Sequence, residues 1–146
     1  MKLFVYGTLR IGEYNHSYIS EHLIQSFGIY KTVLPFYMVR NKGHSFPYVI
    51  PPSLIELNTS PVEITGEVYE ITEEGQAKID LLEGIPHHYM REEIIVQNEK
   101  ERIKANIYLL EDTKYIDIIQ KDTGNYFEIL KTGDWKQGTT QSTDTQ

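Results

Sequence analysis

Ile64-Thr65-Gly66-Glu67-Val68-Tyr69-Glu70-Ile71, followed by Thr72-Glu73-Glu74, decides the fold class of this 146-residue chain. Successive side chains of a strand point to opposite faces. On that spacing Ile64, Gly66, Val68 and Glu70 share one face, and Thr65, Glu67, Tyr69 and Ile71 the other. Large apolar groups on both faces predict a strand covered on both sides. Thr72 then serves as an N-cap, with Glu73 and Glu74 at the positive end of a helix dipole. Ala77 with Leu81, and Ile79 with Leu82, give this helix an apolar face. Gly84 suits the C′ position and Pro86 forbids continuation, so Glu83 falls in the last turn.

The flanking sequence is strand-rich. Lys2 to Tyr6 is a short β-type run stopped by Gly7, and Ser26 to Arg40 mixes aromatic and β-branched residues around Pro35. Gly43 to Pro52 holds Pro47, Pro51 and Pro52, which cannot donate to a ladder, and is expected at an edge or in a surface loop. Tyr89 to Gln97 and Ile103 to Leu110, joined by Asn98-Glu99-Lys100-Glu101, form an antiparallel hairpin. A short helix is expected between Asp122 and Lys131. This order lacks the βαβ alternation of doubly wound folds and predicts an α+β chain, a curved or closed mixed sheet with helices outside. Residues 1–135 are expected to form one domain. Residues 136–146, Thr/Gln-rich and without apolar residues, are expected to form a polar, disordered tail.

Composition limits the chemistry. The chain has no cysteine, which excludes disulfides, thiolate metal sites and cysteine nucleophiles. A net charge of −7 without clustered Lys and Arg argues against nucleic-acid binding. No apolar run approaches the roughly 20 residues of a membrane span, and the first residues lack a secretory core. A cytoplasmic protein acting on small molecules, with neither nucleic acid nor membrane as partner, is the expectation. His87-His88 does not make a metal site, because neighbouring strand side chains point to opposite faces and no further ligands complete a set.

Two separated segments carry the functional signal. Tyr6-Gly7-Thr8-Leu9-Arg10 ends a strand with a glycine turn, where successive N–H groups can face an anion. The competing reading is a strand that simply turns. Glu83 is either an ordinary helix-end carboxylate or a proton carrier, whose pKa the negative helix end and partial burial would raise. Arg10 either steers an anionic ligand or is solvated, and Asn15 either caps a helix or belongs to the loop. Tyr89 and Tyr108 are either pocket walls or hairpin packing.

The ordered set of Tyr6-Gly7-Thr8-Leu9-Arg10 with Gly12 and Asn15, Gly66-Glu67-Val68-Tyr69, Ile79-Asp80-Leu81-Leu82-Glu83-Gly84, Tyr89 with Arg91, Tyr108, and Gly133-Asp134-Trp135 resembles the gamma-glutamylcyclotransferase-like family. Length and motif are closest to its gamma-glutamylamine cyclotransferase branch. The resemblance implies a small mixed-strand β-barrel with flanking helices. It implies release of 5-oxoproline and a free amine from a gamma-glutamyl amine or amino acid, without metal or cofactor. It also implies Glu83 as the catalytic acid/base, with Tyr6, Gly7, Thr8, Leu9, Tyr89 and Tyr108 around the substrate. Phe46 and Tyr48 depart from the family's small residues and would narrow or reshape the pocket. A noncatalytic binding module of the same fold, and a biosynthetic cyclotransferase that removes an acyl group, are the alternatives.

Overall fold

The strand that opens the reading is central. In the computed structural model, β5 (Thr65–Ile71) lies between β1 (Lys2–Val5) and β2 (Leu23–Thr32), antiparallel to both. The structure describes residues 1–13, 15–43, 46–83, 89–122 and 124–136. β6 (Tyr89–Gln97) and β7 (Arg102–Leu110) form the expected hairpin, in register from Tyr89 opposite Leu110 to Gln97 opposite Arg102. Its turn closes with the Asn98 N–H donating to the Glu101 carbonyl at 3.1 Å. β7 returns to β1 in parallel at Leu3 and Asn106, so the five strands close into a barrel of order β1-β5-β2-β6-β7. Two register shifts between β2 and β5 add the curvature that closure needs.

A second sheet, of order β4-β3-β8, joins β3 (Tyr37–Asn41), β4 (Pro47–Ile50) and β8 (Phe127–Ile129). β4 is an edge strand, which suits Pro47 at its start, but it is not a loop over the surface. Tyr48, Val49 and Ile50 are all buried. Strand alternation splits the apolar side chains into two clusters. Phe4, Tyr30, Val68, Val96, Ala105 and Ile107 come from all five barrel strands and meet in one cluster. Leu3, Val5, Tyr69, Ile71, Tyr108 and Leu110, on the opposite faces, pack with Ile19, Ile79, Ile116 and Ile119 from the helices.

These helices are α1 (Ser17–Ser20), α2 (Glu73–Glu83) and α3 (Thr113–Lys121). Thr72 caps α2, its hydroxyl accepting from the Gly75 N–H at 3.0 Å. The inward face of α2 is not the one the apolar spacing predicts. Gln76 and Ile79 are buried, whereas Ala77 is exposed and Leu81 is 80% exposed. The last helix is also displaced from the expected range of Asp122 to Lys131. Asp112 caps it, accepting from the N–H groups of Lys114 at 3.1 Å and Tyr115 at 3.3 Å. Asp122 instead organises the following turn by accepting from Gly124, Tyr126 and Phe127 N–H groups, and β8 then pairs with β3.

Gly84, Pro86 and His87-His88 lie outside the described residues, as does the expected tail beyond Lys136. Lys136 itself is held, its N–H donating to Asp134 at 3.0 Å and its ammonium to the Ile11 carbonyl. Among the described residues no helix is long and apolar enough to cross a membrane. No group of three His, Asp or Glu among them is placed to hold a metal.

Candidate active site

β1 delivers the loop of residues 6–10 to the mouth of the barrel, where the carbonyls of Gly7, Thr8 and Leu9 are engaged. The Gly7 carbonyl accepts from the Arg10 N–H at 3.1 Å, and the Thr8 carbonyl from the Asn15 N–H at 2.9 Å. The Asn15 side-chain amide donates to the Thr8 hydroxyl at 2.9 Å, and His16 Nδ1 meets the Leu9 carbonyl at the same distance. Among the described residues no protein acceptor is paired with the N–H of Gly7, Thr8 or Leu9. Carbonyls turned into the protein and amides left over are the arrangement an anion-binding turn requires. Gly7 is needed for close approach, since a Cβ there would lie 2.9 Å from Cδ of Pro47.

Arg10 fits neither reading offered by the sequence. It is 3% exposed, its Nε donating to Glu67 Oε2 at 2.9 Å and its Nη1 to Asp134 Oδ1 at 2.8 Å. Burial pushes the Glu67 carboxyl up, but the Ile11 N–H, the Tyr69 phenol and the Arg10 guanidinium outweigh it and hold the carboxyl below the usual range. The Trp135 indole N–H donates to Glu13 at 3.1 Å. Gly133, at φ +68°, brings this segment so close that a Cβ would lie 2.3 Å from the Glu63 carbonyl oxygen. Thus Arg10, Glu67 and the Gly133-Asp134-Trp135 segment clamp the loop from behind and take no place in the cavity.

Tyr6, Gly7, Thr8, Leu9, Glu83, Tyr89 and Tyr108 all line one cavity of about 400 Å³. Asn15 joins them through its bond to Thr8, and the α1 N-cap is His16. Phe46, Pro47, Tyr48 and Leu82 complete much of the apolar wall. The Tyr48 and Tyr89 rings stack with centroids 6.0 Å apart and planes at 17°, and Phe46 meets Tyr48 edge-on at 5.6 Å. The Tyr6 phenol donates to the Tyr108 carbonyl at 2.7 Å. Burial raises the pKa of Tyr6, Tyr89 and Tyr108, and the negative charge of Glu83 raises each further, so all three are neutral hydrogen-bonding groups.

Glu83 is half-buried at the end of α2. Its burial against this wall, and then the charge of Asp80 one turn back, push its carboxyl up to about 7. Such a group holds or releases a proton with nearly equal ease at neutral pH. Sequence reasoning missed what lies behind it. Asp80 accepts from the Tyr108 phenol at 2.6 Å and from Gln76 Nε2 at 3.2 Å, and pairs with the Arg91 guanidinium. The signal was a polar stripe at Gln76, Asp80 and Glu83, spaced four and three apart on α2, which an apolar-periodicity argument passes over.

The closed barrel thus brings an amide-lined turn and a single carboxyl raised to about 7 into one cavity. The sequence matches the family described as Gamma-glutamyl cyclotransferase, AIG2-like, over residues 3–137, and the chain belongs to that family. A Vibrio cholerae protein that carries gamma-glutamylcyclotransferase as a provisional name is 33% identical over 135 residues, covering 92% of this chain and 95% of that one. The mouse protein named gamma-glutamylaminecyclotransferase is 34% identical over 98 residues, 65% of this chain and 62% of its own. The crystal structure of an AIG2-like protein from mouse superposes with a TM-score of 0.64 at 27% identity, covering 76% of this chain and 77% of that chain.

Proposed function

We propose that this chain converts a gamma-glutamyl amine or gamma-glutamyl amino acid into 5-oxoproline and the free amine, with Glu83 carrying the proton. The observation that supports this best is that the Glu83 carboxyl and the loop of Gly7, Thr8 and Leu9 line the same cavity. Ionised Glu83 takes a proton from the substrate's α-ammonium, and the freed nitrogen forms a C–N bond to the γ-carbonyl carbon. The carbonyl electrons move onto its oxygen. As they return, the original C–N bond breaks and protonated Glu83 gives its proton to the departing nitrogen. The regenerated carboxylate then takes the second proton from the ring nitrogen and passes it to the free amine, leaving a neutral lactam N–H and an ammonium product. One carboxyl thus serves both steps and ends as it began, a role typically worth about 10²–10⁴-fold in rate.

The loop amides hold the α-carboxylate or the developing oxyanion. Tyr6, Tyr89 and Tyr108 supply the walls, with neutral phenols that orient a substrate without competing for the proton. Cavity residues come from β1, β4, α2, β6 and β7, so we take residues 1–135 as the functional domain. The name of the mouse relative supports an amine as leaving group.

Incubation with a panel of gamma-glutamyl amines and amino acids tests the reading, with 5-oxoproline and equimolar amine as the expected products. Glu83→Gln should lower kcat by about 10²-fold or more while substrate binding survives. Binding without turnover by the unmodified protein would make it a noncatalytic module. Turnover confined to a larger gamma-glutamyl-acylated substrate would make it the biosynthetic, acyl-removing kind.

A further inference from the structure

α2 presents Gln76, Asp80 and Glu83 along one stripe, and the middle residue is fixed from three directions. One Asp80 oxygen accepts from the Tyr108 phenol at 2.6 Å and from Gln76 Nε2 at 3.2 Å, while the other pairs with Arg91 on β6. Gln76, only 3% exposed, also donates to the Tyr108 phenol at 2.5 Å. Tyr108 in turn accepts the Tyr6 phenol through its backbone carbonyl. Asp80 and Arg91 are not among the cavity-lining residues, whereas Glu83, Tyr108 and Tyr6 are.

We propose that Asp80 and Arg91 are a positioning pair that sets the charge state of Glu83, an inference that rests on the reading of Glu83 as the proton carrier. Asp80 places a fixed negative charge one helical turn from Glu83, which disfavours a second negative charge there. Arg91, paired with the other Asp80 oxygen, cancels part of that field, so the pair holds Glu83 between two extremes. Too little negative field would leave Glu83 ionised and a poor donor to the leaving amine. Too much would leave it protonated and unable to accept from the ammonium. The phenols that face Glu83 from the strands, Tyr6 on the β1 side, Tyr89 on β6 and Tyr108 on β7, are neutral and do not set this balance. The same carboxylate, through Tyr108, connects α2 to β7 and hence to Tyr6, so the charge is anchored to the strands that shape the cavity.

Two substitutions should move Glu83 in opposite directions. Asp80→Asn keeps the shape and removes the negative charge, so the Glu83 titration midpoint should fall by about one pH unit. Arg91→Gln removes the cancelling cation, so the midpoint should rise by about as much, while Arg91→Lys, which keeps the charge, should hold it near the unmodified value. The midpoint is read twice, from the pH profile of kcat for 5-oxoproline release and from carboxyl ¹³C NMR of the ligand-free protein. Opposite shifts support the pair. Unmoved midpoints, or shifts of the same sign with kcat merely scaled down, overturn it and leave Asp80 and Arg91 as packing. If the unmodified protein releases no 5-oxoproline from any gamma-glutamyl compound, the proposed reaction fails, and the NMR titration still decides the pair. Should Arg91→Gln fail to fold, the Asp80→Asn midpoint decides alone.

Discussion

The Tyr6 phenol donates to the backbone carbonyl of Tyr108 at 2.7 Å, joining the end of β1 to β7 beside the cavity. The bond spans 102 positions of sequence, and it sets the Tyr6 ring as a wall rather than a lid.

Tyr6→Phe should therefore keep the wall and lose the strap. A buried carbonyl deprived of its donor costs about 1–3 kcal/mol. Urea denaturation should show that loss, whereas an unchanged midpoint would mean that water satisfies the Tyr108 carbonyl equally well.

Glu83 makes stability depend on pH. Its carboxyl titrates at about 7 in the fold, against its ordinary range when unfolded. Between about pH 4.5 and 7 the folded chain therefore retains a proton that the unfolded chain has released, and stability falls as pH rises through that window. Glu83→Gln removes this slope and should be more stable than the unmodified protein above pH 7, by about 1–3 kcal/mol. Glu111, hydrogen-bonded to Glu92 and partly buried, is also pushed up to about 7, so only the difference between the two proteins isolates Glu83. A difference that does not vary between pH 4.5 and 8 would contradict the assignment.

Arg10 belongs to the fold rather than to the ligand. Arg10→Met leaves the buried Glu67 carboxylate without the cation that pairs with it at 2.9 Å and should cost about 3–5 kcal/mol, the usual result of breaking a buried pair. Thermal or urea unfolding measures it. A loss within about 0.5 kcal/mol, typical of a surface residue, would return Arg10 to the solvated reading.

The loop amides should bind small anions. Titration with sulfate or formate should move the backbone amide NMR signals of Gly7, Thr8 and Leu9 and inhibit turnover competitively. A Gly7→Ala variant, whose Cβ meets the Pro47 ring, should lose stability by about 1–3 kcal/mol, and Pro47→Ala in the same chain should recover part of it. Anion-induced shifts confined to other residues would reduce the loop to the end of a strand.

How much of this was legible depended on the range of the interactions. The hairpin of β6 and β7 and the start of α2 rest on neighbours in sequence: alternation, a four-residue turn, and a threonine whose hydroxyl reaches an N–H three residues on. The gathering of the YGTL loop, Glu83, Tyr89 and Tyr108 was legible only through an ordered resemblance, because no local rule relates residues that the chain itself keeps so far apart. Helix α3 was missed for a local reason. Its cap at Asp112 precedes a short stretch whose apolar signal is only Tyr115, Ile116, Ile118 and Ile119, compatible with either a strand or a single helical face, while the expected helix from Asp122 contains a segment that pairs as β8.

The sequence by itself determined the strand-rich class, the hairpin, the helix that ends at Glu83, and the candidate list for the cavity, because propensity, capping and alternation act over a few residues. Only the tertiary structure decided which face of α2 turns inward, that Arg10 is a buried clamp on Glu67 and Asp134, and that Asp80 is held by Gln76, Tyr108 and Arg91. The physical reason is the same in each case. A polar or charged side chain is tolerated inside only when partners from distant strands meet it, and those partners are assembled by barrel closure.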